Sequence, residues 1–108
     1  MTRNGGATIL VVDDDRAFRL STAELLRQDG YDVFVAEDGI RAEAALSERR
    51  FDLMLLDVRM PGIDGISLVE VLRQRGAGLP ILMMSGYGTV DSAVRSLHLG
   101  ADDFLTKP

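Results

Sequence analysis

Six polar residues stand where short apolar runs stop. Asp13, Asp14 and Asp15 follow Ile9-Leu10-Val11-Val12, Asp57 follows Leu53-Met54-Leu55-Leu56, Ser85 follows Ile81-Leu82-Met83-Met84, and Lys107 follows Phe104-Leu105-Thr106. Several carboxylates gathered at one rim repel one another, and a divalent cation is the direct remedy. With no cysteine and one histidine in the chain, the ligands on offer are oxygens. A few carboxylates completed by water and a phosphate suit Mg²⁺. Lys107 is the only lysine beside eleven arginines, and a compact ammonium can pair with a carboxylate or a phosphoryl oxygen where a planar guanidinium would not fit. Ser85 could donate its hydroxyl to the same ligand. Each residue also has a local explanation. An acid-rich helix N-terminus accounts for Asp13 to Asp15, and capping accounts for Asp15 in full. A loop aspartate accounts for Asp57, a common strand-end serine for Ser85, and chance placement for Lys107.

Those six residues need elements that bring them together. Apolar, β-branched runs alternate with segments of helical period, the pattern of βα units and a parallel sheet. Strands are expected at residues 8–12, 32–36, 53–56, 80–84 and 103–106. A first helix is capped by Asp15, carries Phe18, Thr22, Leu25 and Leu26 on one face, and stops at Gly30. Further helices are expected at about 40–49, 66–75 and 90–99. The continuous apolar strands Leu53 to Leu56 and Ile81 to Met84 imply a sheet covered on both faces. In such a sheet, ligands bind beyond the carboxyl ends of the strands, which is where all six polar residues fall.

Length and composition narrow the function. The 108 residues, 46% hydrophobic and 27% charged, suit one domain spanning 1–108. The longest uncharged stretch, Gly76 to Val90, is broken by Pro80 and glycines, so no membrane helix is expected. The absence of a secretory pattern at the start points to the cytoplasm. A formal net charge of −5 argues against direct nucleic-acid contact by this segment. His98 reads as a half-exposed helix residue, and Met54, Met60, Met83 and Met84 as packing.

Four segments, in order and with matching spacing, resemble the receiver domain of bacterial two-component response regulators. They are Ile9-Leu10-Val11-Val12-Asp13-Asp14, the run Leu55-Leu56-Asp57-Val58-Arg59-Met60-Pro61-Gly62-Ile63-Asp64-Gly65, Met83-Met84-Ser85-Gly86, and Gly100 through Pro108. The resemblance implies an α/β, flavodoxin-like, doubly wound parallel sheet of five strands in the order 2-1-3-4-5. It implies that Asp57 is the phosphoacceptor for a sensor histidine kinase, in a Mg²⁺-dependent reaction. Asp14, Asp57 and the backbone carbonyl of Arg59 would hold the metal, with Asp13 reaching it through water. Lys107 and Ser85 would engage the phosphoryl group, and Ser85 and Phe104 would form the switch, although a core role in the fifth strand accounts for Phe104 equally. Such a chain is a signalling phosphoacceptor with only self-phosphorylation and self-dephosphorylation chemistry. Its other partners would be an output domain or downstream protein, possible outputs including transcription, and a second copy in a homodimer. The resemblance also makes the Lys107-Pro108 peptide cis.

Gly86 replaces the family's more usual alanine, which predicts a short-lived phosphoryl group, and Arg59 and Tyr87 flank the acceptor. The family continues for one more helix, which these 108 residues lack. Three or four missing apolar side chains at about 1.5–3 kcal/mol each compare with a domain's roughly 5–15 kcal/mol margin. The expectation is therefore a piece cut before its last helix, or a face covered by another chain. Two other readings stand beside this one. A Mg²⁺-dependent phosphohydrolase of the haloacid dehalogenase type would use Asp13-x-Asp15, but Lys107 follows Asp102-Asp103 instead of preceding it, and Arg16-Ala17 stands where Gly-Thr belongs. A non-phosphorylated interaction module would keep the fold without the chemistry.

Overall fold

The computed structural model describes residues 6–60, 62–86 and 90–107, without the side chains of 90–92. The elements alternate: β1 (Thr8–Val12), α1 (Arg16–Gln28), β2 (Asp32–Ala36), α2 (Gly39–Glu48), β3 (Leu53–Asp57), α3 (Gly65–Gln74), β4 (Ile81–Ser85), α4 (Val90–His98) and β5 (Asp103–Thr106). All neighbouring strands pair in parallel, in the order β2-β1-β3-β4-β5. This is the doubly wound order that the resemblance implied. The strand order reverses between β1 and β3, so their carboxyl ends open a crevice.

Helix starts follow the capping rule. The carboxylates of Asp15, Asp38 and Asp64 accept from the backbone N–H of Phe18, Arg41 and Ser67, which satisfies one orphan donor at the start of α1, α2 and α3. Gly30 follows α1 with a φ of 98°, a conformation that favours glycine. Three strand bounds move by one residue from expectation. β3 runs on to include Asp57, and β4 starts at Ile81, after Pro80, and ends on Ser85.

The sheet's two faces are unequal. One carries the main core, in which Leu10, Val12, Met54, Leu56, Ile81 and Met83 meet Ala42 of α2 and Leu68, Val69 and Leu72 of α3. The other carries Ile9, Val11, Val33, Leu55 and Met84 against Ala23, Phe18 and Leu26 of α1. Coverage of both faces is thus incomplete. The single helix α1 lies over β2, β1 and β3, while Leu105, opposite Met84 on β5, is 48% exposed. The stripe of α1 that touches the sheet is centred on Leu26 and Ala23, which rotates Leu25 away to 64% exposure. Among the described side chains of α4, Ser96 is the buried one, and Val94 and Leu97 are about half exposed.

Gly65 fixes α3 against the site. A methyl group there would collide with the backbone carbonyl of Asp57, and its N–H donates to Val58 O at 2.9 Å. Only glycine permits this approach without moving the end of β3.

Candidate functional site

The rim is assembled from backbone pairing. Val12 lies opposite Leu56 and Asp57 opposite Met84, so Asp13 and Asp57 leave adjacent strands side by side. On the far side, Lys107 N–H donates to Ser85 O at 2.8 Å, which extends the β4–β5 ladder by one residue and turns Lys107 toward the same crevice. Ser85, also buried, sits one residue beyond the Asp57–Met84 pair. Phe104 is partly buried and packs against the main core. The expected set of Asp13, Asp14, Asp57, Ser85 and Lys107 therefore gathers at one end of the sheet.

Lys107 is the centre of the charge arrangement. Its Nζ lies 2.7 Å from Asp13 Oδ2 and 3.6 Å from Asp57 Oδ1. Burial pulls the ammonium's pKa down, but the hydrogen bond to Asp13 and the charges of Asp57 and Asp13 outweigh it, and the net shift is upward. Lys107 is therefore a fixed positive charge.

Asp13 is fully buried and takes a structural part that the sequence reading had not assigned. Besides Lys107, its Oδ1 accepts from Asp15 N–H at 2.9 Å, and its backbone carbonyl accepts from Arg19 Nη1 at 2.8 Å. These bonds also bear on the hydrolase reading, because a nucleophile at Asp13 would have to give up the lysine that neutralises it.

Asp57 is 5% exposed. Burial, then the charge of Asp13, push its pKa up to about 6, against the opposing pull of Lys107 and the Arg59 backbone N–H, while the adjoining Asp14 carboxyl raises it further. Its charge is under-compensated by protein alone. One oxygen from each of Asp13, Asp14 and Asp57 lies within 4.8 Å of the others. An all-oxygen donor set of this compactness, with a carboxylate whose pKa is raised by burial and by the neighbouring Asp13 charge, fits Mg²⁺.

Phe18 escaped the sequence reading, which placed it on the apolar face of α1. Its ring centroid lies 4.5 Å from Lys107 Nζ, so the aromatic face packs on the ammonium. The spacing of Phe18 three residues after Asp15 was visible, but its meeting with a residue 89 positions away is a product of the fold. Gly86 is exposed, and a Cβ built on it would meet nothing within 4 Å. Tyr87 and the Lys107-Pro108 peptide lie outside the described residues.

Comparison with known proteins places this geometry. The response regulator receiver domain family matches residues 9–108. The response regulator MprA of Mycobacterium sp. (strain KMS) is 45% identical over 100 residues, covering 93% of this chain and 44% of that protein. The chain thus spans less than half the length of such relatives. The receiver domain of Francisella response regulator 1452 superposes with a TM-score of 0.90 at 32% identity, over 94% of this chain and 84% of that one. A Burkholderia pseudomallei response regulator, solved with a phosphorylated aspartic acid, calcium ion and citrate, reaches 0.87 at 29% identity, over 94% of this chain and 60% of that one.

The strain at Asp57 sets a stability signature. Because the native carboxyl binds its proton more tightly than the unfolded chain, its contribution to stability is fully present below pH 3.8 and is lost as pH rises through about 6. Asp57→Asn is expected to stabilise the cation-free protein at pH 8 by about 1–2 kcal/mol, with the gain shrinking toward pH 4 and on adding Mg²⁺. Thermal melts across that range check this. A variant less stable than the wild type at pH 8 in EDTA would contradict it.

Proposed function

The chain belongs to the response regulator receiver family of two-component phosphorelays, and on that premise we propose that Asp57 accepts the phosphoryl group from a sensor histidine kinase. The observation that carries this reading is the asymmetry of Lys107, which is bound tightly by Asp13 and loosely by Asp57. The tighter pair holds the ammonium in place, and the looser one leaves an Asp57 oxygen free to act as a nucleophile.

An Asp57 carboxylate oxygen attacks the phosphorus of the kinase's phosphohistidine in line. The new O–P bond forms as the P–N bond breaks, and the departing imidazole recovers a proton from solvent. Asp14, Asp57 and the Arg59 carbonyl, with Asp13 beside them, would hold Mg²⁺, which would supply charge neutralisation for the phosphoryl oxygens. Lys107 donates to one of those oxygens, and Phe18 and Asp13 keep its ammonium from wandering. Ser85, at the end of β4, donates its hydroxyl to the arriving group.

Aspartyl phosphate formation puts new negative charge beside Ser85 and Lys107, both fixed to the β4–β5 ladder. A shift of Ser85 toward the phosphoryl group vacates space that Phe104 can enter, and the population moves between two arrangements of this edge of the domain. An output domain or partner, as in transcriptional regulators of similar design, would read that edge.

Incubation with acetyl phosphate and Mg²⁺ followed by intact-mass measurement is expected to add one phosphoryl group to the wild type and none to Asp57→Asn. Labelling that survives in Asp57→Asn and disappears in Asp13→Asn would contradict the assignment. The open space at Gly86 gives water access to the acyl phosphate. Gly86→Ala should lengthen the phosphoryl lifetime several-fold in a chase after the donor is removed, and an unchanged lifetime would refute the role given to this position.

A further inference from the structure

A cleft lies at the opposite pole from the carboxylates, where α2 and α3 end and β3 and β4 begin. It has a volume of about 830 Å³, within the range of small-molecule pockets. Its walls include Leu46, Phe51, Leu72 and Leu79, and its mouth carries Arg49 and Arg50.

The charges around this cleft are unequally satisfied. Arg75 Nη1 pairs with Glu43 Oε1 at 2.6 Å. Asp52 Oδ2 accepts from Thr8 N–H at 2.7 Å. Among the described residues, no carboxylate pairs with Arg49 or Arg50. Arg49 is nevertheless held in place, because its guanidinium stacks 4.0 Å from the Phe34 ring centroid, and Phe34 meets Phe51 edge to face at 5.8 Å. A guanidinium fixed on an aromatic face keeps its in-plane N–H donors available for a carboxylate.

The far wall is also fixed in advance. Arg73 Nη1 donates to Ala77 O at 2.8 Å and Leu79 O at 2.7 Å, while its Nε reaches Gly100 O. The loop after α3 is thereby clamped in the shape that closes the cleft, so little ordering cost remains for a ligand.

We propose that this cleft binds a small aromatic carboxylate, its ring against Phe51, Leu46 and Leu79 and its anionic end on Arg49 and Arg50. The apolar walls select a planar hydrophobic body, and the two unpaired guanidinia select negative charge. The site is separate from the phosphoacceptor and does not depend on that assignment.

Amide NMR titration of the chain with indole-3-acetate, with tryptamine as the cationic analogue of the same ring, tests the proposal. Indole-3-acetate is expected to shift the amides of Phe51, Ala77 and Leu79 saturably, with tryptamine at least about tenfold weaker. The double variant Arg49→Gln, Arg50→Gln should weaken indole-3-acetate by about tenfold or more. Gly78→Phe, placed where an added Cβ meets nothing within 4 Å, should fill the cleft and abolish binding without unfolding the chain. Equal binding of acid and amine, shifts centred elsewhere, or affinity unchanged in either variant would overturn it.

Discussion

The structure depends on one partly buried ammonium facing more negative charge than it can balance. Lys107 meets Asp13 at 2.7 Å and Asp57 at 3.6 Å, and Asp14 adds a third carboxylate to the same small volume. Breaking a buried pair by removing one partner is costly because it leaves a charge uncompensated. Here a shortfall of positive charge is built into the native state, and it persists because the surrounding backbone is over-determined. Asp13 is tied to Asp15, Ala36 and Arg19, Asp57 is pressed by Gly65, and Lys107 is pinned to Ser85 O. The shortfall makes the rim receptive to a dication.

Parallel pairing is what makes such a rim possible. Every strand delivers its last residue to the same end of the sheet, so residues distant in sequence converge with no contribution from long loops. The opposite end collects the residues that open the strands and close the helices. There Arg49, Arg50 and Arg75 gather around an apolar cleft. The two ends of one small sheet thus carry two separate sites, each positioned by the ends of the same β3 and β4 strands.

Much of this was legible in the residues. The alternation of apolar runs and helical periods located every element, and Asp15 and Gly30 marked the ends of α1 because capping and left-handed geometry are local properties. The strand-end positions of Asp13, Asp14, Asp57, Ser85 and Lys107 announced a shared site, although the strand order itself came from family resemblance. What escaped depends on the third dimension. The rotation of α1 that exposes Leu25 and buries Ala23 is set by the sheet beneath it, and a helical face spanning Phe18 to Leu26 does not define its centre. The stacking of Lys107 on Phe18 and the direct Asp13–Lys107 pair join residues whose proximity no local pattern encodes. On α4, Ser96 faces inward while Val94 and Leu97 face out, the reverse of what hydropathy alone suggests.

The central claim is that the Asp57 carboxylate is held under electrostatic strain that a dication relieves. Carbon-detected NMR of the Asp57 carboxyl, titrated in EDTA and again in Mg²⁺, measures this directly. The account predicts a midpoint near pH 6 without the cation and a clear downward displacement with it. A midpoint at the ordinary value of 3.8, indifferent to Mg²⁺, would contradict it.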